Sequence, residues 1–541
     1  MKKNDLLGLG LAMATCLTAR GQTAYPDHAA LTQRLRTLTT QYRNQTSLQS
    51  IGKSSTGKDL WVLALSRGDA KAKPALAIVA NVEGTHLAGT ELALQLAEKF
   101  LAKAGTDSVG RILDSKTIYL IPSANPDAAE QYFAKLRYER TGNGTKTDDD
   151  RDGLTDEDGP EDLNGDGLIT MLRVEDPTGT FMPAKGDPRV LVKADPTKGE
   201  QGRYRMLTEG TDSDKDGQFN EDGAGGIALN RNFTFDYEPF KPGTGEFPVS
   251  EAESRALLDF LYGAQNVYAV LTFGPSNNLT EPLKFDRTKA TKRVISGWLE
   301  KDVAVGEQVS KLYTQAGLTA GPTLPFQRGD FPQWAYYHYG RLSFATPGWW
   351  MPKDTAKRAQ PEPEDVRFLK WATANNVPAF VDWKPIPHPD FPGKTVEVGG
   401  FVPFAKLNPP VALLAKAADQ HLAFVTRLAL LMPQVELVNL KTESVGPGLT
   451  RVTVDLHNRG LLPSHSELGT RSRFVDRLKV TVGTTDKQQI VSGRKVQLFR
   501  DALAGNATMP MEWLISGTGT VTIEVGSAMV GNQKMTVPLG K

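Results

Sequence analysis

The sequence predicts an α/β domain with a mixed central sheet flanked by helices, followed by a separate antiparallel β-sandwich. Three observations predict it. Residues 75–82 and 117–122 are continuous apolar runs, the pattern of strands buried on both faces. Between them, residues 90–104 place Leu92, Leu96, Phe100 and Leu101 on one helical stripe, so the order is strand–helix–strand. From about Val435 the composition changes to short Val/Thr/Leu runs with Gly turns, and residues 450–457, 478–483 and 521–526 alternate with period two.

The remaining elements follow in chain order. Lys2 and Lys3 precede an apolar stretch at 6–17, and Ala19 and Gly21 supply small residues for cleavage, which reads as an export signal over residues 1–21. An exported chain is periplasmic or extracellular. Cys16 is the only cysteine, so cleavage near Gly21 leaves none and excludes disulfides and thiol catalysis. Residues 25–49 are expected as a lead-in helix, 54–58 as a turn and 60–66 as a strand. Residues 140–226 break the rhythm as a long Asp- and Gly-rich insertion. Helix 251–262, strands 267–273 and 342–346, and a helix over 408–431 after Pro409 and Pro410 complete a domain spanning 22–434. The β-sandwich takes 435–541. The 541 residues carry 63 Lys+Arg against 62 Asp+Glu, and that balance excludes the basic footprint of a nucleic-acid protein. No later apolar run reaches membrane-spanning length.

Three segments carry the chemistry. The first is Asn81-Val82-Glu83-Gly84-Thr85-His86, where a strand runs into a helix. The second is Ser123-Ala124-Asn125-Pro126-Asp127, and the third is Asn230-Arg231-Asn232-Phe233. In this order and spacing they resemble the zinc carboxypeptidase family, over roughly residues 25–430. The Asp-rich insertion and β-sandwich tail look like a bacterial branch of it. The resemblance implies the fold stated above, zinc as cofactor, and a peptide or protein C-terminus as partner. Arg231 with Asn230 matches the pair that grips a substrate carboxylate, and Arg140 resembles the arginine that stabilises an oxyanion. A guanidinium fork suits both tasks, and it equally suits structural bonds at the sheet edge.

The catalytic positions depart from the family pattern. Its His-x-x-Glu pair stands here as Glu83 and His86, exchanged at the same spacing. The third ligand position, after strand 267–273, is Gly274. The general-base position, after strand 342–346, is Pro347. The place of the Asp that orients the first ligand is Ala228 or Leu229. Glu83 and His86 can each ligand zinc, but two ligands are one short of a catalytic site; as loop side chains they make local hydrogen bonds. His338, in an aromatic stretch, is expected as a packed core histidine.

The insertion repeats a second pattern. Asp148, Asp150 and Asp152 with Asp158, then Asp162, Asn164 and Asp166, then Asp212, Asp214 and Asp216 with Asp222, form three alternating carboxylate loops with Gly at the sixth place. Such a turn aims several oxygens at a hard cation, which points to calcium, although the twelfth-place Glu of the EF-hand pattern is missing. The leading expectation is an exported, carboxypeptidase-like protein with degraded catalytic machinery that binds peptide C-termini. The alternatives are an active metallocarboxypeptidase with a non-standard ligand set and a calcium-stabilised interaction protein.

Overall fold

The computed structural model describes residues 24–148, 153, 155, 159–213, 215, 225–353, 362–472 and 474–540. The expected export signal lies outside them.

The chain enters through the helix His28–Gln41, capped by the Asp27 carboxylate on the Ala30 N–H. The expected helix to 49 is corrected: Thr46–Lys53 is strand β1, paired antiparallel with β2 (Asp59–Leu65). Pairing from Thr46 opposite Leu65 to Lys53 opposite Asp59 makes this segment a strand. Strands β3 (Ala75–Ala80) and β4 (Thr117–Ile121) follow, separated by the helices Leu87–Ala102 and Asp107–Ser115. The insertion is not merely a loop. It contributes β5 (Met171–Glu175), β6 (Phe181–Ala184), β7 (Asp187–Lys193) and β8 (Tyr204–Thr208). Strands β9 (Val267–Phe273) and β10 (Leu342–Thr346) match expectation. Strands β11 (Phe380–Ile386) and β12 (Val396–Phe401) then join β5–β8 in a second six-stranded sheet of order β11-β12-β5-β8-β6-β7. The expected helix from 408 begins at Leu414, after a tight turn at Val411–Leu413, because Pro409 and Pro410 hold the preceding backbone extended.

The central sheet has the order β1-β2-β4-β3-β9-β10. It is antiparallel at β1, β2 and β4 and parallel from β4 to β10. Its middle strands are buried on both faces. In β3, Leu76, Ile78 and Ala80 pack under the helices Leu87–Ala102 and Leu414–Leu431, while Ala75, Ala77 and Val79 pack under Ala252–Gly263 and Phe331–Tyr337. That two-sided burial is why β3 reads as an unbroken apolar run.

The C-terminal region forms two four-stranded antiparallel sheets, a β-sandwich. Its strands are β13 (Val435–Gly446), β14 (Leu449–Asn458), β15 (Lys479–Gly483), β16 (Gln488–Ser492), β17 (Val496–Leu498), β18 (Thr508–Gly517), β19 (Gly519–Ser527) and β20 (Gly531–Leu539). One sheet is β13-β14-β18-β16 and the other β17-β15-β19-β20. The sandwich is not a bead on a linker. Leu462, Leu468, Val475 and Met529 enter the core of the α/β domain. Buried polar groups seal the joint. Arg341 donates to the carbonyls of Val267, Tyr339 and Phe474. Lys116 donates to the Pro433 carbonyl at 2.9 Å, and Asp302 accepts from the N–H groups of Glu467 and Leu468. Buried polar groups carry a large penalty unless bonded, so these contacts fix one docking geometry.

Candidate functional site

In an open α/β sheet, ligands bind outside the carboxyl ends of the strands where the strand order reverses. Here the chain steps from β3 to β4 on one side and later to β9 on the other. Register places Ala80, Phe273 and Thr346 level across β3, β9 and β10. The loops leaving these three strands therefore emerge together, and they hold Glu83 to His86, Gly274 and Pro347. The sequence-predicted motif positions are brought to one sheet edge.

Local chemistry shapes the first loop. Asn81 adopts φ 54° at the end of β3, and its side-chain amide donates to the carbonyls of Glu83 and Gly84 while its oxygen accepts from Ser123. Gly84 is required by close approach: a Cβ there would stand 2.2 Å from the Ala128 Cβ. His86 begins the helix Leu87–Ala102 without capping it by its side chain. Asn408 does that instead. Its oxygen accepts from the Ala88 N–H at 2.9 Å and its amide donates to the Thr85 carbonyl at 2.8 Å.

Glu83 and His86 have different surroundings. Burial pushes the Glu83 carboxyl up to about 7, against the pull of a hydrogen bond from Asn230 and the nearby Arg231 charge, with Glu139 adding to the rise. His86 is buried, and desolvation holds its imidazole down at about 4, a neutral ring bonded to the Pro347 carbonyl. Among the described residues its enclosed Nδ1 has no hydrogen-bond partner, and a Cβ added to Gly89 would meet it at 2.9 Å and the Phe273 Cβ at the same distance. The ring thus occupies core space between Gly89 and Phe273. His421 makes a parallel contact from the helix Leu414–Leu431. Its Nε2–H donates to the Gly348 carbonyl at 2.9 Å, and its ring lies edge-on to Phe273. Two neutral histidines therefore hold the turn at Pro347 and Gly348. Gly274 donates its N–H to the Thr346 carbonyl, and a Cβ there would meet Thr272 Cγ2 at 3.8 Å, an ordinary contact.

Zinc needs three convergent protein ligands and an open position for catalysis. The donor set here does not fit it. No three imidazole, thiol or carboxylate groups converge among the described residues, and the one histidine of the motif is packed into the core.

The two arginines lie at the rim. Arg231 donates to the Pro242 carbonyl at 3.0 Å and approaches Glu238 at 3.9 Å, remaining about a third exposed. Asn230 is buried, and its oxygen accepts from the Phe331 N–H. Arg140 donates to the carbonyls of Gly142 and Asn143. It also lines a cavity of about 550 Å³ with Tyr138, Glu139, Phe401 and Lys406, between the first domain's loops and the insertion sheet. The expected core position of His338 is corrected. It is exposed at the end of the helix Phe331–Tyr337, and its Nδ1 shares a 2.6 Å hydrogen bond with Thr234.

In the insertion, the Asp162 loop closes on its own backbone. Asp162 accepts from the N–H groups of Gly165 and Gly167, Asn164 from Asp166, and Asp166 from Leu168. The buried Glu209 ties it down through Leu163 and Thr170. Asp148 accepts from the Gly153 N–H at 3.1 Å, and the Asp212 N–H donates to Asp390. Asp150, Asp152, Asp158, Asp214, Asp216 and Asp222 lie outside the described residues. Asn408 and His421 escaped the sequence analysis, because their partners lie across the fold and leave no local pattern.

Comparison with known proteins gives two family matches. Residues 31–165 match a family described as zinc carboxypeptidase, and residues 434–538 match a domain of unknown function (DUF8731). Mouse carboxypeptidase M is 32% identical over 128 residues, 23% of this chain and 28% of that protein. Carboxypeptidase D of Drosophila melanogaster is 33% identical over 126 residues, 22% of this chain and 9% of that protein. The chain thus spans less than a third of the length of these relatives. A metallo-carboxypeptidase structure from Burkholderia cenocepacia covers 74% of this chain and 69% of its own at 13% identity and a TM-score of 0.34.

Proposed function

We propose that this protein, whose residues 31–165 match the zinc carboxypeptidase family, keeps the family's peptide-facing cleft and binds peptide C-termini without metal-dependent hydrolysis. In the family, zinc polarises the scissile carbonyl and lowers the pKa of its water, and a carboxylate handles the proton. The observation that carries the reading is the chemistry of the three strand ends. His86 is closed into the core against Pro347 and Phe273, Gly274 offers no ligand, and Pro347 offers no proton acceptor. Glu83, paired with Asn230, is the remaining carboxyl.

Arg231 and Arg140 are the groups offered to a carboxylate. Calorimetry tests this with matched peptides bearing a free or an amidated C-terminus. The free acid is expected to bind and the amide not, with Arg231→Ala abolishing the difference. Equal binding of both forms sinks the reading.

We further infer export through residues 1–21 and calcium binding by the insertion loops at Asp148, Asp162 and Asp212. The support for calcium is the threefold recurrence of alternating carboxylates with a sixth-place Gly. Titration with calcium, read by protease resistance of residues 148–222, tests it: unchanged cleavage at saturating calcium removes calcium from the account.

A further inference from the structure

The joint between the two domains forms a groove that the family resemblance does not explain. Its volume is about 610 Å³. The α/β domain contributes Phe235, Tyr262, Val294 and Tyr337, and the sandwich side contributes Leu468 and Phe474. The walls are ordered by stacking. Phe235 and Tyr337 lie face to face at 3.9 Å, and Tyr262 meets Phe474 at 4.5 Å. Yet apolar surface stays open: Val294 is 72% exposed and Phe474 53%. Exposed apolar side chains clustered beside a concave surface mark interaction sites, whereas scattered ones do not.

Charge identifies what the groove accepts. Arg293 and Arg471 stand on its two sides, one from each domain. Both are exposed, and neither makes a salt bridge or side-chain hydrogen bond among the described residues. Among the described residues, no aspartate or glutamate lines the groove. The groove is also preformed, because the same short segment of the sandwich that carries Leu468 and Phe474 is bonded to Asp302 and Arg341 beneath it. Preformed sites lose less entropy on binding.

We propose that this groove docks an acidic peptide segment of a partner protein, with carboxylates on Arg293 and Arg471 and an apolar side chain between Tyr262, Tyr337 and Phe474. Guanidinium forks bind carboxylates in two-pronged fashion, and aromatic walls accept an apolar anchor. Among the described residues the groove is lined by two arginines, a shorter basic track than a nucleic-acid strand needs. The proposal gives the C-terminal domain a role: it completes a site that neither domain forms alone.

The test uses the full chain and a library of random heptapeptides displayed through their C-termini, so that no free carboxyl terminus can enter the carboxypeptidase-like cleft. Enriched peptides are expected to combine Asp or Glu with an aromatic or aliphatic residue. A synthetic amidated version should lose about tenfold or more in affinity with the Arg293→Ala/Arg471→Ala variant. It should weaken with Phe474→Ser and with added salt, and be unchanged by Arg231→Ala. Melting curves matching the parent protein establish that the variants fold. No enrichment, enrichment of peptides without acids, affinity untouched by the double arginine change, or a single-stranded oligonucleotide bound at these arginines would each overturn the proposal.

Discussion

Asp302 sits in the helix Glu300–Gln315 at 1% exposure and joins the two domains. Its carboxylate accepts from the N–H groups of Glu467 at 2.7 Å and Leu468 at 3.0 Å, and from the Tyr336 hydroxyl at 2.8 Å. Burial pushes its pKa up to about 6, although all three hydrogen bonds pull it down. Asp302→Ala leaves three donors stranded at the joint, at about 1–3 kcal/mol each. At pH 8 it also removes a buried charge whose net cost in the folded protein, hydrogen bonds included, is about 3 kcal/mol judged from the shift. Three stranded donors offset by about 3 kcal/mol leave an expected net loss at pH 8 of roughly 0–6 kcal/mol. A carboxyl whose folded pKa is raised contributes its full stability below the unfolded pKa and loses it as pH rises through about 6. The parent protein gains about 1 kcal/mol from this group between pH 8 and pH 5, and the variant gains none. Urea unfolding of both proteins at the two pH values measures the difference. A penalty that grows on acidification supports the joint as described. A penalty that is constant, shrinks at pH 5, or is absent at both values refutes it.

Gly348 adopts φ +74°, and a Cβ there would stand 2.4 Å from Leu92 Cδ1 and 3.0 Å from Phe273. Gly348→Ala is expected to cost about 2 kcal/mol or more in thermal unfolding, from strain and overpacking together. Burial alone would raise the Asp127 carboxyl, but hydrogen bonds from Thr56, Lys58 and Ser54 outweigh it and hold it at about 2. Its stabilisation is present above the ordinary carboxylate pKa and is lost as pH falls toward 2, so Asp127→Asn should flatten the acid limb of a stability–pH curve. Saturating calcium should raise the melting temperature through preferential binding to the folded loops, and chelator should reverse it.

The central sheet was legible because burial on both faces writes itself into composition. Strands β9 and β10 were found to the residue, and the three motif positions fell at the strand ends where the register puts them together. Local propensity misplaced the lead-in helix, since only pairing with β2 makes residues 46–53 a strand. The insertion sheet was missed because its strands are short and half exposed, and two of its partners lie some 200 residues away at β11 and β12. At the site, residue identity revealed what the motif lacks. It did not reveal where His86 points, because the space it fills is made by Gly89, Phe273 and the Pro347 turn. Nor could it reveal His338 at the surface, since an aromatic neighbourhood in sequence does not fix which side of a short helix faces solvent.

On the proposed function, a carboxypeptidase-like scaffold binds peptide C-termini without metal-dependent hydrolysis. The direct measurement is zinc stoichiometry on the full-length protein together with release of C-terminal residues from a peptide panel, with and without added zinc. Well below one zinc per chain and no chelator-sensitive release are expected. Gly274→His or Pro347→Glu alone is expected to change neither reading, because each supplies only one part of the ligand and base set. One tightly held zinc per chain with chelator-sensitive turnover would contradict the proposed function and show that a different set of side chains serves the reaction.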